Sequence, residues 1–368
     1  MVTSVASEMN SSAPQSICLL RLSALGDVSH VLPVVRQLQS QWPETRITWI
    51  IGKFEHRLMH LIPNIEYIVF NKKQGWDAVR QLREQLARRR FDALLHMQLA
   101  LRANLLAAWV KADQRIGFDT ERSKELHGLV INRRIAFQPR QHVLDALGSF
   151  VQPLGLSPAP AQWDFPILPE AQAFAESELP GDQATLIISP CSSHRLRNWH
   201  AEGYAAVARH AVIERGWRVA LCGGPSKLER EVGDAILQRA NVPMIDLIGR
   251  DTLPRLLALL RRADALLTPD SGPMHLANAL GTSVIGLHAA TASWRSGPYS
   301  DRQFCVDHYA AAAERFLRKP ADRLPWGKRI EFDGVMDLIQ IDEVIDAFER
   351  VVARRAKPAL DQVGDAER

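Results

Sequence analysis

The sequence predicts an α/β protein built from two doubly wound domains, and three observations support this. Short apolar segments alternate with segments of helical period, a pattern typical of parallel sheets covered by helices on both faces. A proline-rich connector over residues 152–170 interrupts the alternation once. The chain has 368 residues, 46% of them hydrophobic, which suits two cores of ordinary size.

The connector sets the domain boundaries. We expect a first Rossmann-like domain over residues 16–165 and a second over residues 171–335. Residues 336–356 are expected to form a C-terminal helix that packs back on the first domain. Residues 1–15 lack the basic and apolar regions of a signal peptide and are expected to form a disordered tail, with a polar tail over 357–368.

In the first domain, apolar runs between turn residues predict the strands, and the longer segments of helical period predict the helices. Leu25-Gly26-Asp27 is expected to form a turn before a helix over 28–38, with Pro33 in its first turns. The remaining elements are strands over 16–22, 46–51, 66–70, 91–97 and 114–117, and helices over 76–90, 100–111 and 142–154.

The second domain repeats this alternation, and its helix ends are marked by capping residues. Asp270 or Ser271 is placed to cap one helix, Pro273 suits its first turn, and Gly281 ends it. The expected strands are 184–188, 218–222, 244–248, 265–268 and 283–287, and the expected helices are 201–215, 227–239, 253–262 and, at the C-terminus, 339–354.

Composition excludes several classes of protein. No apolar run approaches the about 18 residues that a membrane span needs. The four cysteines are far apart, which fits free thiols in a reducing cytoplasm and argues against a zinc site (Cys18, Cys191, Cys222 and Cys305). A net charge of +4 and a pI near 9.0 permit an anionic partner. We expect a monomeric cytoplasmic protein with no nucleic-acid partner.

The stretch around Asp270-Ser271-Gly272-Pro273 is the strongest candidate for chemistry. A helix that begins at the carboxyl end of a parallel strand presents unpaired N–H groups and partial positive charge. Gly272 permits close approach of a ligand, Ser271 adds a hydroxyl, and His275 lies one turn into the helix. These features predict a seat for a phosphate or diphosphate. The alternative is an ordinary capped helix with His275 at the surface.

A second candidate, Ser23–Asp27, follows the first strand. Asp27 is either a helix cap or a carboxylate that accepts a proton from an acceptor hydroxyl. In the second interpretation Gly26 lets the acceptor approach the backbone.

The segment SPCSSHRLRNW, residues 189–199, offers two hydroxyls and a cation at Ser192, Ser193 and Arg197. It either binds a diphosphate or is a polar loop with a solvated arginine.

Cys222-Gly223-Gly224-Pro225 either borders a nucleotide base or forms a tight turn. The sequence lacks the G-x-G-x-x-G motif, a Walker motif and a metal-binding D-x-D pair. The negative charge of a diphosphate would therefore have to be neutralised by the helix N-terminus, Arg197 and His275.

Taken together, LSALGD with VLPVV, SPCSSHRLRNW and PDSGPMHLANALGTSVIGL resemble the bacterial lipopolysaccharide heptosyltransferases of glycosyltransferase family 9. LLRLSALGDVSHVLP and the late LPWGKRIEFDGVMDLI are most similar to the heptosyltransferase I type. The resemblance implies a GT-B fold with two domains across a cleft, an ADP-heptose donor, inversion at the anomeric carbon and no metal or other cofactor. It also implies Kdo of lipid A as acceptor and a peripheral position on the cytoplasmic face of the inner membrane.

The resemblance also assigns residues. Asp27 is the implied general base. Arg197 stands where some relatives have Lys. Thr291 is the implied counterpart of the threonine in their Y-G-x-T segment, although this sequence has His288 in that region. The implied donor-binding residues are Ser192, Ser193, Arg197, Asp270, Ser271, Gly272, Pro273, Met274 and His275. Candidate acceptor-binding residues, chosen from loops and basic positions of the first domain, are Gly26, Gln98, Arg102, Lys124 and His142.

Three alternatives remain open at this point. The chain could be a heptosyltransferase that acts on a later core sugar, a non-catalytic nucleotide-sugar-binding protein of the same fold, or a nucleotide-sugar epimerase. Product analysis separates them, because an epimerase yields altered sugar without acceptor and a binding protein yields nothing.

Overall fold

The computed structural model describes residues 13–364, so the tail predicted over 1–15 lies mostly outside the described residues. The chain forms two compact units. The described part of unit 1 comprises residues up to Ser23, then His30–Pro139 and Leu144–Gln162. Unit 2 comprises Ala24–Ser29, Arg140–Val143 and the residues from Trp163 onward. The first helix and the segment near residue 140 are therefore divided between the units.

Unit 1 contains a parallel sheet of six strands among the described residues, in the order β3-β2-β1-β4-β5-β6. Strand order reverses between β1 and β4, and the loops at such a switch point hold ligands in doubly wound folds. The strands are β1 (Ser16–Leu20), β2 (Arg46–Gly52), β3 (Glu66–Phe70), β4 (Phe91–His96), β5 (Ala112–Gly117) and β6 (Arg133–Arg134). The helices are α1 (Leu25–Gln41), α2 (Lys53–Met59), α3 (Trp76–Leu86), α4 (Leu101–Ala107) and α5 (Val143–Gly148).

Unit 2 has the same strand order, with β7 and β10 at its switch point: β12-β11-β10-β7-β8-β9. Its strands are β7 (Thr185–Ile188), β8 (Arg218–Leu221), β9 (Ile245–Asp246), β10 (Ala265–Pro269), β11 (Ser283–His288) and β12 (Val306–Asp307). Its helices are α6 (Pro169–Glu178), α7 (Ala201–Ile213), α8 (Lys227–Ala240), α9 (Leu253–Arg262), α10 (Gly272–Leu280), α11 (Ser293–Ser296), α12 (Tyr309–Ala312) and α13 (Ile341–Gly364).

The start of α1 differs from the prediction. Leu25-Gly26-Asp27 is the first turn of the helix rather than a separate turn, which places Pro33 in the helix interior. A proline there cannot donate to the carbonyl four residues earlier, at Ser29. The indole N–H of Trp163 donates to that carbonyl instead, at 3.1 Å. A side chain therefore replaces the missing helical hydrogen bond.

The C-terminal helix α13 corrects another prediction. It packs within unit 2 and not on the first domain: Phe348 is fully buried, with its ring 5.1 Å from that of Trp217. Glu349 accepts hydrogen bonds from His210 Nε2, at 2.6 Å, and from Arg215. The helix also extends to Gly364, through most of the residues predicted as a polar tail.

Four of the described helices, α2, α6, α11 and α12, were not predicted. Helix α6 begins at Pro169, within the end of the proline-rich connector, because a proline at the first helical position lacks only an N–H that has no helical partner. Helix α2 follows directly on β2. Within the described residues no helix is long and apolar enough to span a membrane.

Candidate functional site

The candidate donor residues lie at the switch point of the unit 2 sheet. The segment with Ser192 and Arg197 follows β7, and the segment from Asp270 to His275 follows β10. These two strands are hydrogen-bonded neighbours and run parallel, so both segments leave the same edge of the sheet. The pairing of β7 with β10 therefore brings together two motifs that are about seventy residues apart in sequence.

The N-terminus of α10 has no side-chain cap. Ser271 occupies the N-cap position with extended backbone but makes no capping hydrogen bond, and its hydroxyl lies 2.8 Å from Thr268 Oγ1. Pro273 is in the first turn, as predicted. Gly281 ends the helix with φ of 80°, also as predicted. The positive end of the dipole therefore faces no side-chain acceptor from its own N-cap.

Asp270 is half-buried and ionised behind this helix end. Burial alone would raise its pKa, but the imidazoles of His275 and His288 and the hydroxyl of Thr291 hold the pKa well below its usual range. His275 Nε2 lies 3.7 Å from Asp270 Oδ1, and the Ser296 hydroxyl donates to Oδ2 at 3.2 Å. A carboxylate held in this way orients His275 rather than receiving an anion.

Gly26 lies against His275. A Cβ at position 26 would overlap the imidazole, and a Cβ at Gly272 would lie 3.0 Å from Leu25 Cδ2. The space beside Gly26 that we assigned to an acceptor is thus filled by His275. The same contacts place the first turn of α1 beside the N-terminus of α10 within unit 2.

Asp27 is the third residue of α1 and is half-buried. Its Oδ2 accepts from the N–H of Ala24 at 3.5 Å, the position from which an N3 carboxylate reaches back to the helix start. Its two proposed roles are compatible, because an ionised carboxylate can accept several hydrogen bonds at once.

Arg197 is buried in the segment after β7, at 8% exposure. Its Nη2 donates to Ser193 Oγ at 2.8 Å, and its Nε lies 3.4 Å from Glu331 Oε1. Burial lowers the pKa of the guanidinium, while the charges of Asp270 and Glu331 oppose that change. Arg197 is thus a fixed cation and not the solvated arginine of the alternative interpretation.

Two predicted donor residues have internal roles. The Ser192 hydroxyl donates to His194 O at 2.9 Å and is 3.0 Å from Asn198 Oδ1, so it stabilises the loop. The Met274 side chain is fully buried, which leaves only its backbone to face a ligand.

The acceptor candidates are divided between the two units. Gln98 braces the loop after β1, since its Oε1 accepts from Leu22 N at 2.7 Å. Arg102 and Lys124 are exposed in unit 1. His142 belongs to unit 2, where Nε2 donates to Gly297 O at 3.0 Å and burial lowers its pKa to about 3. This buried contact gives His142 a structural role in unit 2.

Sequence reasoning missed a carboxylate pair beside the glycine-rich turn after β8. Glu229 accepts from the N–H of Gly224 at 2.8 Å and from the Ser226 hydroxyl, and its own N–H donates to that hydroxyl, which is a variant of the capping box. Asp251 is largely buried, and burial raises its pKa to about 8, with Glu229 adding to the effect. The S-x-x-E spacing at 226–229 was a usable signal for the capping box, whereas nothing local marked Asp251.

Comparison with known proteins identifies the same family as the motifs. The sequence model described as "Glycosyltransferase family 9 (heptosyltransferase)" matches residues 79–323. The lipopolysaccharide core heptosyltransferase OpsX of Haemophilus influenzae is 39% identical over 339 residues, which cover 92% of this chain and 97% of the relative. Lipopolysaccharide heptosyltransferase 1 of Escherichia coli K12 is 22% identical, covering 78% of this chain and 92% of the relative.

Solved structures confirm the predicted fold class. A family 9 glycosyltransferase from Veillonella parvula superposes with a TM-score of 0.75 at 22% identity, covering 92% of this chain and 97% of its own. The Escherichia coli heptosyltransferase WaaC, solved with ADP, gives a TM-score of 0.62 at 20% identity, covering 79% and 92% of the two chains. The two parallel-sheet α/β units therefore have the GT-B type of architecture.

Proposed function

The chain belongs to glycosyltransferase family 9, the heptosyltransferase family, and on that premise we propose that it transfers a heptose from ADP-heptose to a sugar of the lipopolysaccharide core. The observation that carries the proposal is the arrangement in unit 2: an uncapped N-terminus of α10 beside buried Arg197, with the first turn of α1 packed against His275. The complex of WaaC with ADP supports an adenosine diphosphate donor.

The donor diphosphate would rest on the start of α10. Backbone N–H groups, the helix dipole and the guanidinium of Arg197 are the groups that stabilise a diphosphate leaving group. His275 adds a polar contact whose orientation is held by Asp270. Because these groups supply the positive charge themselves, we propose that transfer needs no metal ion.

Asp27 is the proposed general base. Its carboxylate would take the proton of the acceptor hydroxyl as that oxygen attacks the anomeric carbon of heptose. The new glycosidic bond forms as the bond to the diphosphate breaks, so ADP leaves and the anomeric configuration inverts. The glycine at position 26 brings this helix start against His275, which keeps the proposed base near the proposed donor contacts.

We propose Kdo of lipid A as the acceptor, at a peripheral site on the cytoplasmic face of the inner membrane, on the strength of the heptosyltransferase I motifs. The higher identity to OpsX than to heptosyltransferase 1, 39% against 22%, favours including other core acceptors in the test. A later core sugar is therefore the second candidate.

The test is a product analysis by mass spectrometry. Purified protein is incubated with ADP-heptose and, separately, with Kdo-lipid A and with heptose-bearing core acceptors. We expect one heptose to be added to Kdo-lipid A. Addition only to a heptose-bearing core would assign the later step. Release of altered sugar without acceptor, or no turnover with any acceptor, would contradict the transferase proposal.

A further inference from the structure

Four leucines of unit 1 are exposed around helix α4 and the loop that follows β5. Leu101 is 46% and Leu105 55% exposed, and they lie one turn apart on α4. In the loop, Leu126 is 61% and Leu129 79% exposed. Single exposed leucines are ordinary, whereas a contiguous group marks an interaction surface.

Hydrogen bonds hold the loop against α4. The carboxylate of Glu125 accepts from the backbone N–H of Leu101, and Asn104 Nδ2 donates to the carbonyl of Glu125 at 2.5 Å. Asn104 is itself buried, with its Oδ1 2.7 Å from His96 Nε2 and 3.0 Å from His127 Nδ1. The loop and the helix therefore present their leucines as one surface, which we call the leucine face (Leu101, Leu105, Leu126 and Leu129).

The backbone projects Leu126 outward. Glu125 and Leu126 have φ values of 53° and 66°, in the left-handed region that L residues rarely adopt. The next residue, His127, is buried and receives the N–H of Phe118 on Nε2 at 3.0 Å. Burial of His127 thus fixes the loop in a conformation that leaves Leu126 in solvent.

Cations border the leucine face. Arg102 and Lys124 are exposed neighbours of Leu101 and Glu125 in the chain. Arg134 Nη2 would lie 2.9 Å from a Cβ at Gly128, so its guanidinium lies over Gly128, the residue before Leu129. The loop also carries two exposed carboxylates, Glu121 and Glu125, and that of Glu125 accepts from the backbone N–H of Leu101. Leucines surrounded by arginine and lysine match an anionic lipid surface, whose acyl boundary accepts the leucines and whose headgroups attract the cations.

We propose that the leucine face docks the protein on an anionic bilayer. The proposal extends the proposed function, since a lipid-anchored acceptor is reached from a membrane surface, but vesicle binding tests it without substrates. A second copy of the chain is the competing occupant, and measurement of the oligomeric state separates the two.

The experiment measures binding of the full-length protein to phosphatidylcholine vesicles with and without phosphatidylglycerol. We expect binding to the anionic vesicles that weakens as salt rises. Leu126→Ser with Leu129→Ser is expected to weaken it by at least about tenfold, because two exposed apolar side chains are lost. Ile213→Ser is the matched control: Ile213 is 65% exposed on α7 of unit 2, and its variant should bind as the wild type does.

Two further measurements keep the result interpretable. Leu105→Ser, on the helix, should also weaken binding, so misfolding of the loop variant cannot hide the effect. Transfer to a deacylated, water-soluble acceptor should remain unchanged in all three variants. Equal vesicle binding by wild type and loop variant, or a wild-type dimer that the loop variant converts to monomer without loss of vesicle binding, overturns the proposal. Vesicle binding without any transfer would instead leave this surface standing and contradict the proposed function.

Discussion

The imidazole of His275 fills the space where a side chain at Gly26 would begin. Gly26 lies in the first turn of α1, and His275 in the first turns of α10. Both residues belong to motifs chosen from sequence for separate roles, as acceptor and donor contacts. Their contact instead means that His275 can occupy its position only because residue 26 has no side chain.

Gly26→Ala should displace His275 and reduce donor use. The added methyl group overlaps the ring, so either the imidazole or the start of α1 must move, at a cost of about 1–3 kcal/mol. Steady-state kinetics with ADP-heptose and thermal unfolding measure the two effects. Gly148→Ala is the control, because a Cβ there meets nothing within 4 Å and should leave both unchanged. Equal kinetics in the two variants would contradict the role of this contact.

Asp27→Asn should lower kcat by about 10²–10⁴ through loss of the proton acceptor. The amide keeps the size of the side chain and can still accept from Ala24, so folding and ADP affinity should hold. Calorimetric ADP binding and single-turnover rates test this. Asp77→Asn, in the first turn of α3, is the control, because Asp77 is exposed and pairs with Arg80 on the same helix. Near-normal turnover of Asp27→Asn would contradict the role of Asp27 as general base and leave it only a structural role at the start of α1.

Arg197→Ala and His275→Ala should each lower kcat/KM for ADP-heptose by about 10- to 150-fold, which corresponds to about 1.5–3 kcal/mol for a contact to a charged group. Arg197→Ala also leaves Glu331 without its buried partner, so its unfolding temperature should fall as well. Arg197→Lys restores the charge but not the paired hydrogen-bond geometry, and should recover part of the loss. Unchanged kinetics in both alanine variants would show that the donor binds at another site.

Transfer should continue in excess EDTA. The proposed diphosphate contacts are a helix N-terminus, an arginine and a histidine, which supply the charge that a metal would otherwise provide. Initial rates with and without EDTA measure this directly. Loss of activity that Mg²⁺ or Mn²⁺ restores would show that the positive charge of the site is incomplete.

Asp251 should make the protein less stable at alkaline pH. Burial raises its pKa from 3.8 to about 8 in the folded state, so the folded protein holds a proton that the unfolded chain releases. The stabilising contribution is complete below about pH 4 and is lost as the pH rises to about 8, with a slope of at most about 1.4 kcal/mol per pH unit. Denaturant unfolding at pH 6 and pH 8.5 measures the difference. Asp251→Asn should lose less stability over this interval; an equal loss would assign the pH dependence to other groups.

Local signals were sufficient where the structure depends on local contacts. Helix α9 was predicted with its observed ends, Leu253 and Arg262, because its apolar period and Pro254 are properties of adjacent residues. The end of α10 at Gly281 and its proline-bearing start were also correct, since only a residue that accepts positive φ suits that end. The order of strands and helices, and hence the loops that carry the candidate donor residues, followed from the same periodicity.

Tertiary structure decided what each of these residues touches. No local pattern shows that His275 covers Gly26, that Glu331 pairs with Arg197, or that Trp163 replaces the hydrogen bond removed by Pro33. The docking of α13 in unit 2 was predicted wrongly because its apolar face specifies burial but not the partner that buries it. Sequence periodicity determines which side of an element is apolar. Its packing partner depends on contacts between residues far apart in the chain, and these exist only in the folded unit.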